Sequence, residues 1–110
     1  MTPELVVARL SDIFHEFGGE WVNDNPYIEN SGFTFHAVLI EFATFLGGHA
    51  PAASPRQLEA TAEFINEAMD GEPRLENAVA TCLLEHLHQL NLKRRLWPLL
   101  SDRAKQGARP

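Results

Sequence analysis

Residues 33–46 read FTFHAVLIEFATFL, the most apolar run in the chain. Wound as an α-helix, the run brings Phe35, Val38, Leu39, Phe42, Phe45 and Leu46 onto one wide face, and His36, Glu41 and Thr44 interrupt the other. A helix with so little polar surface belongs in the interior, enclosed by other elements. Thr34 stands where an N-cap is needed. Residues 33–37 also alternate as a strand would, which keeps an α+β fold as a minority alternative. Gly47-Gly48 is expected to stop this helix, and HAPAAS (residues 49–54) to act as a connector.

Working outward, the partners of this central helix are amphipathic. Thr2-Pro3 supplies a cap and an N1 proline. Val6, Leu10, Ile13, Phe14 and Phe17 then share a face, opposite Arg9, Asp12, His15 and Glu16, and Gly18-Gly19 is expected to end that helix. Residues 18–32 (GGEWVNDNPYIENSG) read as one long loop rich in turn formers, a length that often signals function. Ser54-Pro55-Arg56-Gln57 is a capping-box start. Behind it Leu58, Thr61, Ala62, Ile65, Ala68 and Met69 face one way and Glu59, Glu63, Asn66, Glu67 and Asp70 the other, with Asp70-Gly71 closing the helix. Pro73 opens a fourth helix predicted to run to about Leu90, with Leu75, Val79, Cys82, Leu83, His86 and Leu90 on its apolar side. Asn91 to Trp97 reads as a basic turn, and Pro98 as the start of a short last helix whose end, residues 107–110, frays. The expected fold is all-α: a compact bundle of about five helices with one long loop.

A chain of 110 residues, 45% hydrophobic and 22% charged, fits a single globular domain spanning 1–110. No stretch approaches the ~20 apolar residues of a membrane-spanning helix. Asp12 and Glu16 come too early for a signal peptide, and the lone Cys82 cannot close an internal disulfide. Both features point to a reducing cytoplasm. The net charge of −6 is unevenly spread: residues 1–92 hold 14 acids and 3 bases, net −11, whereas residues 93–110 hold one acid and six bases, net +5. A body of that sign repels nucleic acid and attracts a basic protein. The bland reading of the acids is solubility, and that of the basic segment is a solvated end.

Catalytic and metal motifs are hard to find. His86 and His88 are two residues apart, so on one helix they diverge by ~200° and cannot share an ion. No HExxH, CxxC or glycine-rich phosphate loop occurs, so neither metal nor cofactor is expected. Cys82 precedes His86 by four residues and could form a thiol–imidazole pair. Their place in an apolar stripe favours a buried, inert cysteine and a structural histidine, whose truncation would cost roughly 1–3 kcal/mol. Paired carboxylates at Asp12/Glu16, Glu59/Glu63 and Glu63/Glu67 lie on outward faces, where nothing tunes them for catalysis.

A binding surface is the stronger candidate. Trp21 and Tyr27 sit among Glu20, Asp24 and Glu29, aromatic anchors in an acidic ring suited to a basic protein. The competing reading folds Trp21 back onto the core. The row Glu59, Glu63, Glu67 is the second candidate, against a plain solvated face, and the basic segment from Lys93 to Arg103, with an acidic partner in place of a basic one, is the fallback. The segment ENAVATCLLEHLHQL (residues 76–90), followed by LWPLL (96–100), resembles the C-terminal half of small helical immunity proteins from bacterial polymorphic toxin systems, with an apolar-apolar-Glu-x-Leu run at Leu83–Leu87. The resemblance implies a non-enzymatic inhibitor that binds a toxin domain directly. The alternatives are a homo-oligomeric structural or regulatory module, and a small enzyme built on Cys82 and His86.

Overall fold

The computed structural model describes residues 1–18 and 34–108 and is all-α, with no strand among the described residues. Four helices of ten or more residues build the core: α1 (Pro3–Ile13), α2 (Phe35–His49), α3 (Pro55–Met69) and α4 (Pro73–Cys82). Two shorter helices, α5 (Lys93–Leu96) and α6 (Asp102–Ala108), pack with them among the described residues. Of the expected loop at residues 18–32, residues 19–32 lie outside the described residues, and residue 18 belongs to a helical turn.

The starts of the helices follow from local chemistry. The Thr2 and Thr34 hydroxyls accept from the Leu5 and Ala37 amides, each at 3.2 Å. At Ser54 the full capping box forms: Gln57 N–H donates to Ser54 Oγ at 3.1 Å and Ser54 N–H to Gln57 Oε1 at 2.9 Å. The same Gln57 side chain donates through Nε2 to the Ile13 carbonyl at 3.2 Å, which ties the start of α3 to the end of α1.

Helix α2 is central. Phe35, Ala37, Val38, Leu39, Phe42, Phe45 and Leu46 are buried, and α1 and α4 both pack on it. Phe14 and Phe17 meet Phe42 and Phe45 in tilted or edge-on contacts with centroids 5.2–6.0 Å apart. The first helix ends earlier than the glycine pair suggests. Phe14 is extended (φ −129°, ψ 102°), and residues 15–18 re-enter helical conformation. The chain bends so sharply that a Cβ on Gly18 would lie 2.8 Å from Ser11 Oγ. Gly18 is therefore a point of close approach, and the bend lets both phenylalanines reach α2.

Gly47-Gly48 does not stop α2 either. No glycine among the described residues has the positive φ of a helix-terminating cap, and the helix runs on to His49 and a 3-10 turn at Ala50–Ala52. His49 stacks on Phe45 with centroids 3.9 Å apart and hydrogen-bonds its carbonyl at 2.9 Å. The carbonyls that close this segment are taken by Arg95, whose Nη1 and Nη2 donate to Ala50 O (2.8 Å) and Ala53 O (2.9 Å).

The largest departure is α4. It stops at Cys82 instead of about Leu90: Leu83 leaves helical geometry (φ −122°, ψ −60°) and a 3-10 turn follows at Leu84–His86. The cause is tertiary. Helix α6 packs here through Gly107, where a Cβ would lie 2.9 Å from Leu84 Cδ1 and 3.3 Å from Met69 Cε. The change of winding buries Leu83, Leu84 and Leu87 and leaves His86 exposed. The turn ends at Asn91, the one non-glycine residue with positive φ (59°) among those described. Leu92 N–H bonds the Leu87 carbonyl and Asn91 N–H the His88 carbonyl, the pattern of a Schellman cap.

The last helix begins at Asp102 and not at Pro98, which lies in a 3-10 turn (Trp97–Leu99). Ser101 is its cap, with Oγ accepting from Ala104 N at 3.2 Å. Asn66, expected to face solvent, latches the approach to it: Nδ2 donates to Leu99 O (3.1 Å) and Oδ1 accepts from Ser101 N (2.8 Å). Ala104 and Ala108 are buried, so residues 107–108 are held rather than frayed. Arg95 and Arg103 likewise have internal partners, and the basic segment is not simply a solvated end.

The left-handed backbone at Asn91 makes a specific expectation. Asn91→Gly should leave stability unchanged or raise it slightly, whereas Asn91→Ala should cost on the order of 1 kcal/mol, because a Cβ without a locally bonding side chain is strained there. Chemical denaturation of the two variants compares them directly.

Candidate protein-binding surface

Helix α3 projects the acidic row from a firmly seated base. Leu58, Thr61, Ala62, Phe64, Ile65, Ala68 and Met69 are buried, and Glu59, Glu63 and Glu67 are exposed. Phe64 joins the buried face that the spacing of the other residues predicts, and the Thr61 hydroxyl is satisfied by the Gln57 carbonyl at 2.7 Å. Four-residue spacing places successive glutamates one turn apart, ~6 Å along the axis.

The row is not uniformly negative. Arg9 of α1 reaches across to Glu67, Nη1 to Oε2 at 2.8 Å, with its guanidinium 5.9 Å from the Phe64 ring centroid. The hydrogen bond from Arg9 lowers the Glu67 carboxyl below its ordinary range. The same bond, with the nearby charges of Glu67 and Glu63, raises Arg9 against the opposing effect of its partial burial. Glu59 and Glu63 form no ion pair among the described residues. Beside them, between α1 and α3, lies a pocket of about 360 Å³ lined by Arg9, Asp12, Ile13, Arg56, Gln57 and Ala60. The surface thus offers two carboxylates outside the ion pairs, next to a groove with apolar patches and both signs of charge.

Of the other expected contact residues, Glu20, Trp21, Asp24, Tyr27 and Glu29 lie outside the described residues. The structure places only the α3 half of the expected surface.

The thiol–imidazole alternative fares differently from either sequence reading. His86 is exposed rather than buried, and its Nδ1 pairs with Gln89 Oε1 at 2.9 Å. Cys82 is half-buried, and its Sγ lies 3.7 Å from Thr81 Oγ1. No hydrogen bond joins Cys82 to His86, because the break at Leu83 removes the helical register that would have brought them together. Among the described residues no group of three or more histidine, cysteine, aspartate or glutamate side chains is disposed to hold a metal ion. No described helix is long and apolar enough to cross a membrane.

A second surface lies in the basic segment that the sequence offers as the fallback contact for an acidic partner. His88, Lys93, Arg94, Trp97 and Pro98 line a groove of about 360 Å³. The Nζ atoms of Lys93 and Lys105 lie 5.5 and 5.6 Å from the Trp97 ring centroid. The signal available in the sequence was the tryptophan immediately following the basic run Lys93-Arg94-Arg95.

Two outcomes follow from this geometry. His86→Ala should change stability by no more than about 0.5 kcal/mol in a denaturation experiment, since the imidazole is on the surface. A double-mutant cycle on Arg9→Ala and Glu67→Gln should give a coupling of roughly 0.2–1 kcal/mol at neutral pH, the range for a solvent-accessible pair. Because the Glu67 carboxyl is lowered in the folded state, its contribution is complete above the ordinary carboxylate range and is lost as pH falls through its folded-state value. No protein-family model, no curated protein and no solved structure matches the chain.

Proposed function

We propose that the protein is a non-enzymatic inhibitor, an immunity protein that neutralises a bacterial toxin domain in the cytoplasm by direct binding. The observation that carries the reading is the exposed glutamate row of α3, fixed on a helix whose opposite face is buried, in a chain of net charge −6. A rigid helix presents its charges without the ordering cost that a mobile segment meets on binding. Complementary charge accelerates encounter and excludes wrongly charged partners. The partner in this reading has a basic face that meets Glu59 and Glu63, with Glu67 at the margin because Arg9 already holds it. Trp21 and Tyr27, flanked by Glu20, Asp24 and Glu29, supply the apolar anchors from outside the described residues. The resemblance of residues 75–100 to immunity proteins supports the same reading, although its apolar-apolar-Glu-x-Leu run winds as a 3-10 turn and not as a continuous helix.

The test begins with the gene next to this one. Co-expression with the toxin domain it encodes should restore growth, and the purified pair should form a salt-sensitive complex. Glu59→Lys combined with Glu63→Lys should leave the fold intact and slow association roughly ten-fold at low ionic strength. Failure of the unmodified protein to protect would remove the inhibitor reading. Protection and kinetics untouched by the charge reversal would move the contact off α3.

A further inference from the structure

The cations of the described residues are not equally available. Arg9 and Arg103 are engaged by Glu67 and Glu76, and Arg95 is bound to two backbone carbonyls. Lys93, Arg94 and Lys105 form no ion pair among the described residues. They are also gathered: Lys93 and Arg94 line the Trp97 groove, and the Lys93 and Lys105 ammonium groups both lie against the ring. The π face of an aromatic ring attracts ammonium groups and holds them over it rather than extended into water. The helix that carries Lys93 and Arg94 is itself fixed by the fork of Arg95 on Ala50 and Ala53.

We propose that this groove is a second protein-binding site, which takes a short acidic segment of a partner polypeptide and seats an apolar side chain of that segment against Trp97 and Pro98. Charge complementarity names the class. The groove concentrates unpaired positive charge in a chain whose first 92 residues carry 14 acids and 3 bases. Its walls explain the apolar anchor: the exposed Pro98 ring and the part of Trp97 that lines the groove are carbon surface. A polynucleotide suits it poorly, because phosphates extending past so small a groove meet a surface dominated by carboxylates. The site is opposite in sign to the α3 row and stands whether or not the inhibitor reading is correct.

The experiment is a titration of the full chain, followed by amide and indole nuclear magnetic resonance, with a synthetic peptide in which leucines alternate with glutamates. Saturating shifts at the Trp97 indole and at amides of residues 88–98 are expected, with affinity reduced at least about ten-fold by Lys93→Glu with Arg94→Glu and unaffected by Glu59→Lys with Glu63→Lys. Lys105→Gln, a milder change, should weaken binding less. The glutamine counterpart of the peptide should give no saturating shift. Absence of saturation at Trp97 at millimolar peptide, or affinity unchanged in the Lys93/Arg94 variant, overturns the proposal. Tighter binding of single-stranded oligodeoxythymidylate at the same indole would replace the acidic segment with nucleic acid. Sedimentation that shows a dimer lost in the Lys93/Arg94 variant would assign the groove to a second copy of this chain.

Discussion

Helix α2 carries seven buried side chains on fifteen residues, three of them phenylalanines, and must be surrounded. Where the neighbours go follows from that requirement. Phe14 and Phe17 reach Phe42 and Phe45 because α1 breaks at Phe14 and the chain bends between Ser11 and Gly18. Helix α4 covers another side with Leu75, Ala78 and Val79. Helix α3 then closes against α1 and α4, and its remaining face, with no apolar neighbour left to meet, carries the glutamates. The acidic row is thus a by-product of enclosing α2 as much as a feature of α3.

What could be read from the sequence was local. Thr2, Thr34, the Ser54–Gln57 box and Pro73 marked helix starts correctly because a cap acts within three or four residues. The faces of α1, α2 and α3 were legible because their apolar residues keep helical spacing throughout. The breaks at Phe14 and Leu83 were not, since neither residue is a helix breaker by nature. Leu83 yields because Gly107, twenty-four positions later, brings α6 against Leu84. Gly47-Gly48 misled for the converse reason: glycine permits a left-handed cap but does not impose one, and neither residue adopts it.

The candidate surfaces divide the same way. Glu59 and Glu63 could be placed on the outside from spacing alone. That Arg9 would neutralise Glu67 could not, because the pair spans 58 positions. Nor could the basic segment be sorted in advance. Its six bases look alike in the sequence, yet Arg95 and Arg103 are engaged by carbonyls and a carboxylate of the chain while Lys93 and Lys105 gather around Trp97.

The Asn66 latch and the Arg95 fork bind late residues to early ones across 33 to 45 positions. Protein synthesis delivers those residues in the opposite order of need. While the ribosome holds residues beyond Lys93, α2 and α3 have already emerged, but Arg95 has not yet reached the carbonyls of Ala50 and Ala53 and the seat of Ala104 on the core is vacant. The nascent chain therefore exposes apolar surface until residues 93–108 are free, a window in which a chaperone or a waiting partner competes with α6.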